Sequence, residues 1–150
     1  MKLDVEVQNV SGSPDVPDAG AIQRWVAAAL ADWRSEATLC VRVVDAEEAR
    51  ALNHTWRGRD YATNVLSFPC ADPPPACPAL LGDIVICASV VRDQAQERSV
   101  PAEQHWAHLV VHGTLHLLGY DHQETAAADA MEALEIGILD KLGYPDPYGT

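Results

Sequence analysis

Residues 3–10 alternate apolar and polar side chains, with Leu3, Val5 and Val7 on one side, the period-two pattern of a half-buried strand. SGSPDVPD then breaks the pattern. From Ala19 to Arg34 the positions Ile22, Trp25, Val26, Ala29, Leu30 and Trp33 recur at intervals of three and four, which predicts a core-packing helix with Asp18 as its N-cap. The β-branched run 38–44 predicts a strand, and Asp45 caps a short helix through AEEARALNHTW. NVLSFPC predicts a further strand ending at Pro69. The following ADPPPACPALLG is an irregular loop, because proline cannot donate to a ladder and forces its predecessor into extended backbone. DIVIC is short and apolar enough for a buried strand.

Helical periodicity returns over 88–98 and 101–118, with Pro101 and Glu103 in the first turn of the second segment and Gly119 as its stop. A last helix is predicted from about 124 to 142, with Met131, Leu134, Ile138 and Leu142 on one stripe and Gly143 ending it. The tail YPDPYGT reads as frayed. About four strands and five helices without strict alternation predict an α+β fold, a single domain over 1–150 with a small mixed four-stranded sheet. The strand order is not readable from this pattern.

A chain of 150 residues buries about 70% of its unfolded surface, enough for a core without staples. No stretch approaches the roughly 18 apolar residues of a membrane-spanning helix, so no membrane role is expected. The N-terminus lacks the layout of a secretion signal. Cys40, Cys70, Cys77 and Cys87 form no CxxC pair, which suits reduced thiols in a cytoplasmic protein; Cys70 and Cys77 are not expected to bind zinc. The net charge of −12 works against phosphate binding, which draws on Lys and Arg. That charge is uneven. From Ser99 onward Lys141 is the single basic residue, whereas 42–59 holds Arg42, Arg50, Arg57 and Arg59, so phosphate contacts are expected from this earlier segment.

The chemistry concentrates in His112-Gly-Thr-Leu-His116-Leu-Leu-Gly119-Tyr-Asp-His122. Residues four apart stack on one helix face about 6 Å apart along the axis, so His112 and His116 can grip one ion. A glycine able to take positive φ at 119 lets the chain turn back and bring His122 to the same ion. Three imidazoles suit Zn²⁺ and leave a fourth tetrahedral position open, the catalytic rather than the structural arrangement. His105 and His108 share the helix face but lack the turn and third ligand. They are assigned supporting, capping or surface roles; Asp121 is open to two roles, a substitute base or, the favoured one, a group that orients a ligand by a hydrogen bond. The same spacing occurs in metzincin proteases, where a glutamate base follows the first histidine; here Gly113 stands in that place, which disfavours protease chemistry.

Trp56-Arg57-Gly58 through Ala62-Thr63-Asn64-Val65-Leu66-Ser67-Phe68-Pro69, Gly82-Asp83-Ile84, and His112 through His122 together resemble the YbeY-type bacterial endoribonucleases in order and rough spacing. The resemblance implies one zinc on the three motif histidines. It also implies single-stranded RNA as substrate, work in ribosomal RNA processing and ribosome quality control alongside small-subunit components, and a catalytic arginine at Arg57. Asn64 stands where many members carry aspartate. No DNA role is expected. A guanidinium suits the catalytic assignment, since its planar fork pairs with phosphate and stabilises developing charge. Asp83, between Gly82 and a buried strand, is expected to be a supporting acceptor. Two alternatives stay open: a ribosome-assembly factor with little turnover, favoured by the acidic charge, and less so a metalloprotease.

Overall fold

The computed structural model describes residues 2–120 and 125–149. Its elements run β1 (Lys2–Asn9), α1 (Ala19–Leu30), β2 (Glu36–Val44), α2 (Ala46–Arg57), β3 (Val65–Pro69), β4 (Leu80–Cys87), α3 (Ala88–Arg98), α4 (Ala102–Leu117) and α5 (Thr125–Lys141). The strands form one mixed sheet in the order β1-β2-β4-β3. β1, β2 and β4 are parallel, and β3 runs antiparallel on the edge beside β4. The α+β expectation therefore holds, with five helices around one four-stranded sheet among the described residues.

Strand alternation decides which face is buried. Val41 pairs with Ile84 and Val43 with Ile86, and these side chains meet Trp25 and Leu30 of α1 and Val110 and Leu115 of α4 in the main core. The other face carries a smaller cluster in which Val44, Leu66, Val85 and Cys87 pack against Ala49 of α2. The C-terminal half of β4, central in the sheet and covered on both faces, accordingly reads as an unbroken apolar run over 84–87. The caps foreseen from local chemistry are present: Asp18 accepts from the Ala21 N–H at 2.8 Å and Asp45 from the Glu48 N–H at 2.9 Å.

Two boundaries differ from the sequence reading. α1 stops at Leu30 instead of continuing to Arg34, and the chain leaves it through a turn in which the Trp33 and Arg34 N–H groups share the Leu30 carbonyl; Trp33 is left 47% exposed, edge-on to Tyr120 at 5.5 Å. β4 begins at Leu80, before DIVIC, and crosses Gly82 at φ 140°. A Cβ there would lie 2.2 Å from the Phe68 carbonyl oxygen, so only glycine lets β3 approach.

α4 is the central helix. It buries residues all round its circumference, from His105 to Leu117, against the sheet, α1, α3 and α5. Such a helix is a rigid mount for side chains at its C-terminal end. It comes close to the sheet at Gly113, whose Cβ would meet Ile84 Cγ2 at 3.0 Å and Ser67 Oγ at 3.3 Å; the Ser67 hydroxyl also donates to the Gly113 carbonyl at 3.0 Å. Gly113→Ala should therefore destabilise the protein by about 1 kcal/mol in chemical denaturation. Overpacking costs roughly 1–3 kcal/mol and the better helix propensity of alanine returns about 1. A rise in stability would show that the sheet yields at this contact. Among the described residues no helix is long and apolar enough to cross a membrane.

Candidate metal centre and cleft

The end of α4 is built as the sequence requires. Gly119 has φ 102°, its N–H bonds to the His116 carbonyl at 3.0 Å, and the Tyr120 N–H reaches the Leu115 carbonyl at 3.2 Å, a glycine-terminated helix stop. No neighbour fills the space where a Cβ would stand, so the glycine is there for its backbone alone. One turn earlier, His112 and His116 point the same way, with their Nε2 atoms 3.2 Å apart. His122 and Asp121, assigned to the same centre from the sequence, lie outside the described residues.

The other nitrogen of His112 meets a residue that the sequence reading passed over. Glu135 on α5 is fully buried, and its Oε1 lies 2.8 Å from His112 Nδ1 and 3.0 Å from His108 Nε2. Burial by itself would push this carboxyl up, but the hydrogen bonds from His108 and His112 outweigh it and hold it down, to about 2. An ionised carboxylate only accepts, so both imidazoles donate to it. The Nδ1 proton of His112 is thereby held by Glu135, and Nε2 is the nitrogen left facing His116. His108, His112 and Glu135 offer ligand atoms within 4.8 Å of one another and form a group that could hold a metal ion.

His105 and His108 are both buried, which excludes the surface role among those expected for them. His105 Nε2 lies 2.8 Å from Gln94 Oε1, which also accepts from Asn64 Nδ2 at 3.1 Å, so α4, α3 and the start of β3 are tied by one polar chain. Burial, helped by Arg98 and His108, pushes the His105 imidazole down to about 4, so it is neutral and donates to Gln94. Asp83 is not brought to the histidines. It is exposed and paired in register with Cys40 and Phe68; because Ile84 faces α4, strand alternation turns Asp83 to the opposite face.

His112 and His116 form part of the wall of a cleft of about 680 Å³ that runs along β3 and the end of α2. Arg57 and Arg59 line it, with Thr63, Asn64 and Ser67. The four arginines of the 42–59 segment divide into two kinds. Arg42 is clamped by both oxygens of Glu48 at 2.7 and 3.2 Å, and Arg50 by both oxygens of Asp60 at 2.7 and 3.0 Å. Among the described residues no such partner engages the guanidinium of Arg57 or Arg59, so the cationic charge left over faces the cleft. Gly58, at φ 68°, closes α2 and separates these two arginines. Aromatic rings stand at the same rim: Trp56 is 67% exposed, backed edge-on by Phe68 at 6.0 Å, and Tyr61 is 52% exposed.

A family model described as endoribonuclease YbeY matches residues 7–143. An endoribonuclease YbeY of Alkalilimnicola ehrlichii is 56% identical over 97% of this chain and 91% of its own. Those of Stutzerimonas stutzeri and Cellvibrio japonicus are 50% and 47% identical, over 99% and 98% of this chain and 91% and 84% of theirs. The solution structure of a Thermotoga maritima protein has the same fold, with a TM-score of 0.59 over 96% of this chain and 99% of that one at 21% identity. With the histidine helix, the glycine stop and the arginine-lined cleft on one scaffold, and with relatives this close along nearly its whole length, the chain belongs to the endoribonuclease YbeY family.

Proposed function

We propose that this protein is a zinc-dependent endoribonuclease that cuts single-stranded RNA in the maturation of ribosomal RNA, in the cytoplasm, with the metal held by His112, His116 and His122. The observation that carries the reading is the pair of Nε2 atoms 3.2 Å apart at the wall of a cleft that also presents Arg57 and Arg59. Two ligands on one tetrahedral zinc at bonds of about 2.05 Å stand about 3.3 Å apart, so the imidazoles fit the ion as they stand. The group of His108, His112 and Glu135 fits it less well, because its contacts of 2.8 and 3.0 Å fall short of that separation. Glu135 is better read as the outer carboxylate that fixes the tautomer of a ligating histidine.

Zinc, when bound, supplies Lewis acidity toward the scissile phosphate. The chain supplies the rest. Arg57 places a planar guanidinium where charge develops on phosphate oxygens, and Arg59 adds attraction for the flanking phosphate. Trp56 and Tyr61 offer faces on which unpaired bases stack, a contribution of about 1–3 kcal/mol per base that a duplex cannot use. Gly113 argues against peptide hydrolysis, since it leaves no carboxylate in the place of the glutamate base. A second reading draws on the charge of −12, which suits docking on basic ribosomal small-subunit proteins with RNA cleavage slow or absent.

The test incubates zinc-loaded protein with a labelled single strand, the same strand in a duplex, and casein, each with and without chelator. Cleavage of the single strand alone, stopped by chelation, is expected. Casein cleavage, or an intact strand beside fully loaded protein, would overturn the nuclease reading.

A further inference from the structure

The segment after α5, expected to fray, is folded back over the metal-centre helix. It leaves α5 through Gly143 at φ 90°, with the Tyr144 N–H on the Leu139 carbonyl at 2.9 Å. It then turns at Asp146-Pro147-Tyr148-Gly149. The Asp146 carboxylate accepts the Tyr148 N–H at 2.8 Å, and the Gly149 N–H donates to the Asp146 carbonyl at 3.2 Å. Aspartate first, proline second and glycine fourth are the residues such a turn favours. The turn delivers the Tyr148 ring edge-on to His108, at 5.3 Å and 86°.

The Tyr148 hydroxyl donates to Glu135 Oε2 at 2.9 Å and lies 3.2 Å from His108 Nε2. The two oxygens of the buried carboxylate are thus divided: Oε1 receives His112 and His108, and Oε2 receives Tyr148. Among the described residues Oε2 has no other partner. Without the hydroxyl a buried anionic oxygen is left unsatisfied, and the carboxylate can turn to share its other donors, which draws Oε1 off His112.

We propose that Tyr148 is a positioning residue of the metal centre, fixing the Glu135 carboxylate so that its other oxygen holds His112 in ligating orientation. This rests on the proposed ligand set. The hydroxyl acts at one remove from the metal, so its effect belongs at the low end of the range for outer-sphere partners of metal ligands.

Tyr148→Phe keeps the ring against His108 and removes only the hydroxyl. It should weaken zinc binding about tenfold in competition with a chelator. It should also alter the visible absorption of the Co²⁺-substituted protein, which reports the orientation of the ligands, and lower the melting temperature of metal-free protein by only a few degrees, the cost of one unsatisfied carboxylate oxygen. Glu135→Gln should weaken zinc binding at least as much, and adding Tyr148→Phe to it should change little more, because the tyrosine acts through that carboxylate. Wild-type zinc affinity and an unchanged Co²⁺ spectrum in Tyr148→Phe would overturn the proposal and leave the metal site standing. A full further tenfold loss in the double variant would overturn the route through Glu135. A wild-type protein that binds no zinc would overturn the ligand set and this inference together.

Discussion

Alanine in place of His116 is expected to remove zinc and RNA cleavage together, with the fold retained. Under the proposed ligand set this imidazole is one of three, and its loss leaves two ligands and an open side through which the ion escapes. Single-turnover cleavage should fall by about 10³-fold or more, since the metal's stabilisation of phosphate charge amounts to several kcal/mol and each 1.36 kcal/mol is a factor of ten. His116 is a cleaner probe than His112. The latter also donates to Glu135, so His112→Ala takes a donor from a fully buried carboxylate and adds a stability loss of about 1–3 kcal/mol to the loss of metal. Elemental analysis beside the cleavage assay separates the cases. Zinc retained at wild-type level in His116→Ala would remove this histidine from the centre.

What could be foreseen from the chain divides by the range of the forces involved. Asp18 and Asp45 were readable as caps, and 88–98 as a helix, because capping and helical periodicity act within a few residues. The positive φ of Gly119 was readable for the same reason. The order β1-β2-β4-β3 was not, since pairing between strands tens of residues apart leaves no local mark. Glu135 was hidden by the neighbouring stripe of Met131, Leu134 and Ile138. The sign was a carboxylate four residues from Met131 and four from Leu139, both 1% exposed, and so on the buried face of α5. A carboxylate at such a position needs donors, and the histidines of α4 supply two of them. Tyr148 was concealed by the composition of its segment. Asp-Pro-Tyr-Gly is turn chemistry, and a turn so specified can be ordered when its side chain has a buried acceptor to reach. For Asp83 the alternation within β4 was legible in the chain: with Ile84 turned inward, its neighbour had to face the other way.

Arg57 should prove the larger of the two cleft cations in the chemical step. Arg57→Ala is expected to lower single-turnover cleavage by about 10²–10³-fold, the usual loss when one donor to a developing oxyanion is removed, with zinc content and folding close to wild type. Those two controls should hold because the guanidinium stands among the described residues without an ion pair of its own, so removing it breaks no internal bond. Arg57→Lys should recover only part of the rate, since an ammonium keeps the charge but not the planar fork that meets two phosphate oxygens at once. Arg59→Ala offers the contrast. If Arg59 only draws in the flanking phosphate, its loss should raise the RNA concentration needed for half-maximal rate and leave the saturated rate alone, and the defect should shrink at high salt, where wild type loses the same attraction. Arg42→Ala and Arg50→Ala, whose charges are already neutralised by Glu48 and Asp60, should leave cleavage within a fewfold of wild type. Equal single-turnover rates for wild type, Arg57→Ala and Arg57→Lys would take Arg57 out of the chemistry, and a defect confined to half-saturation would make both cleft arginines docking groups.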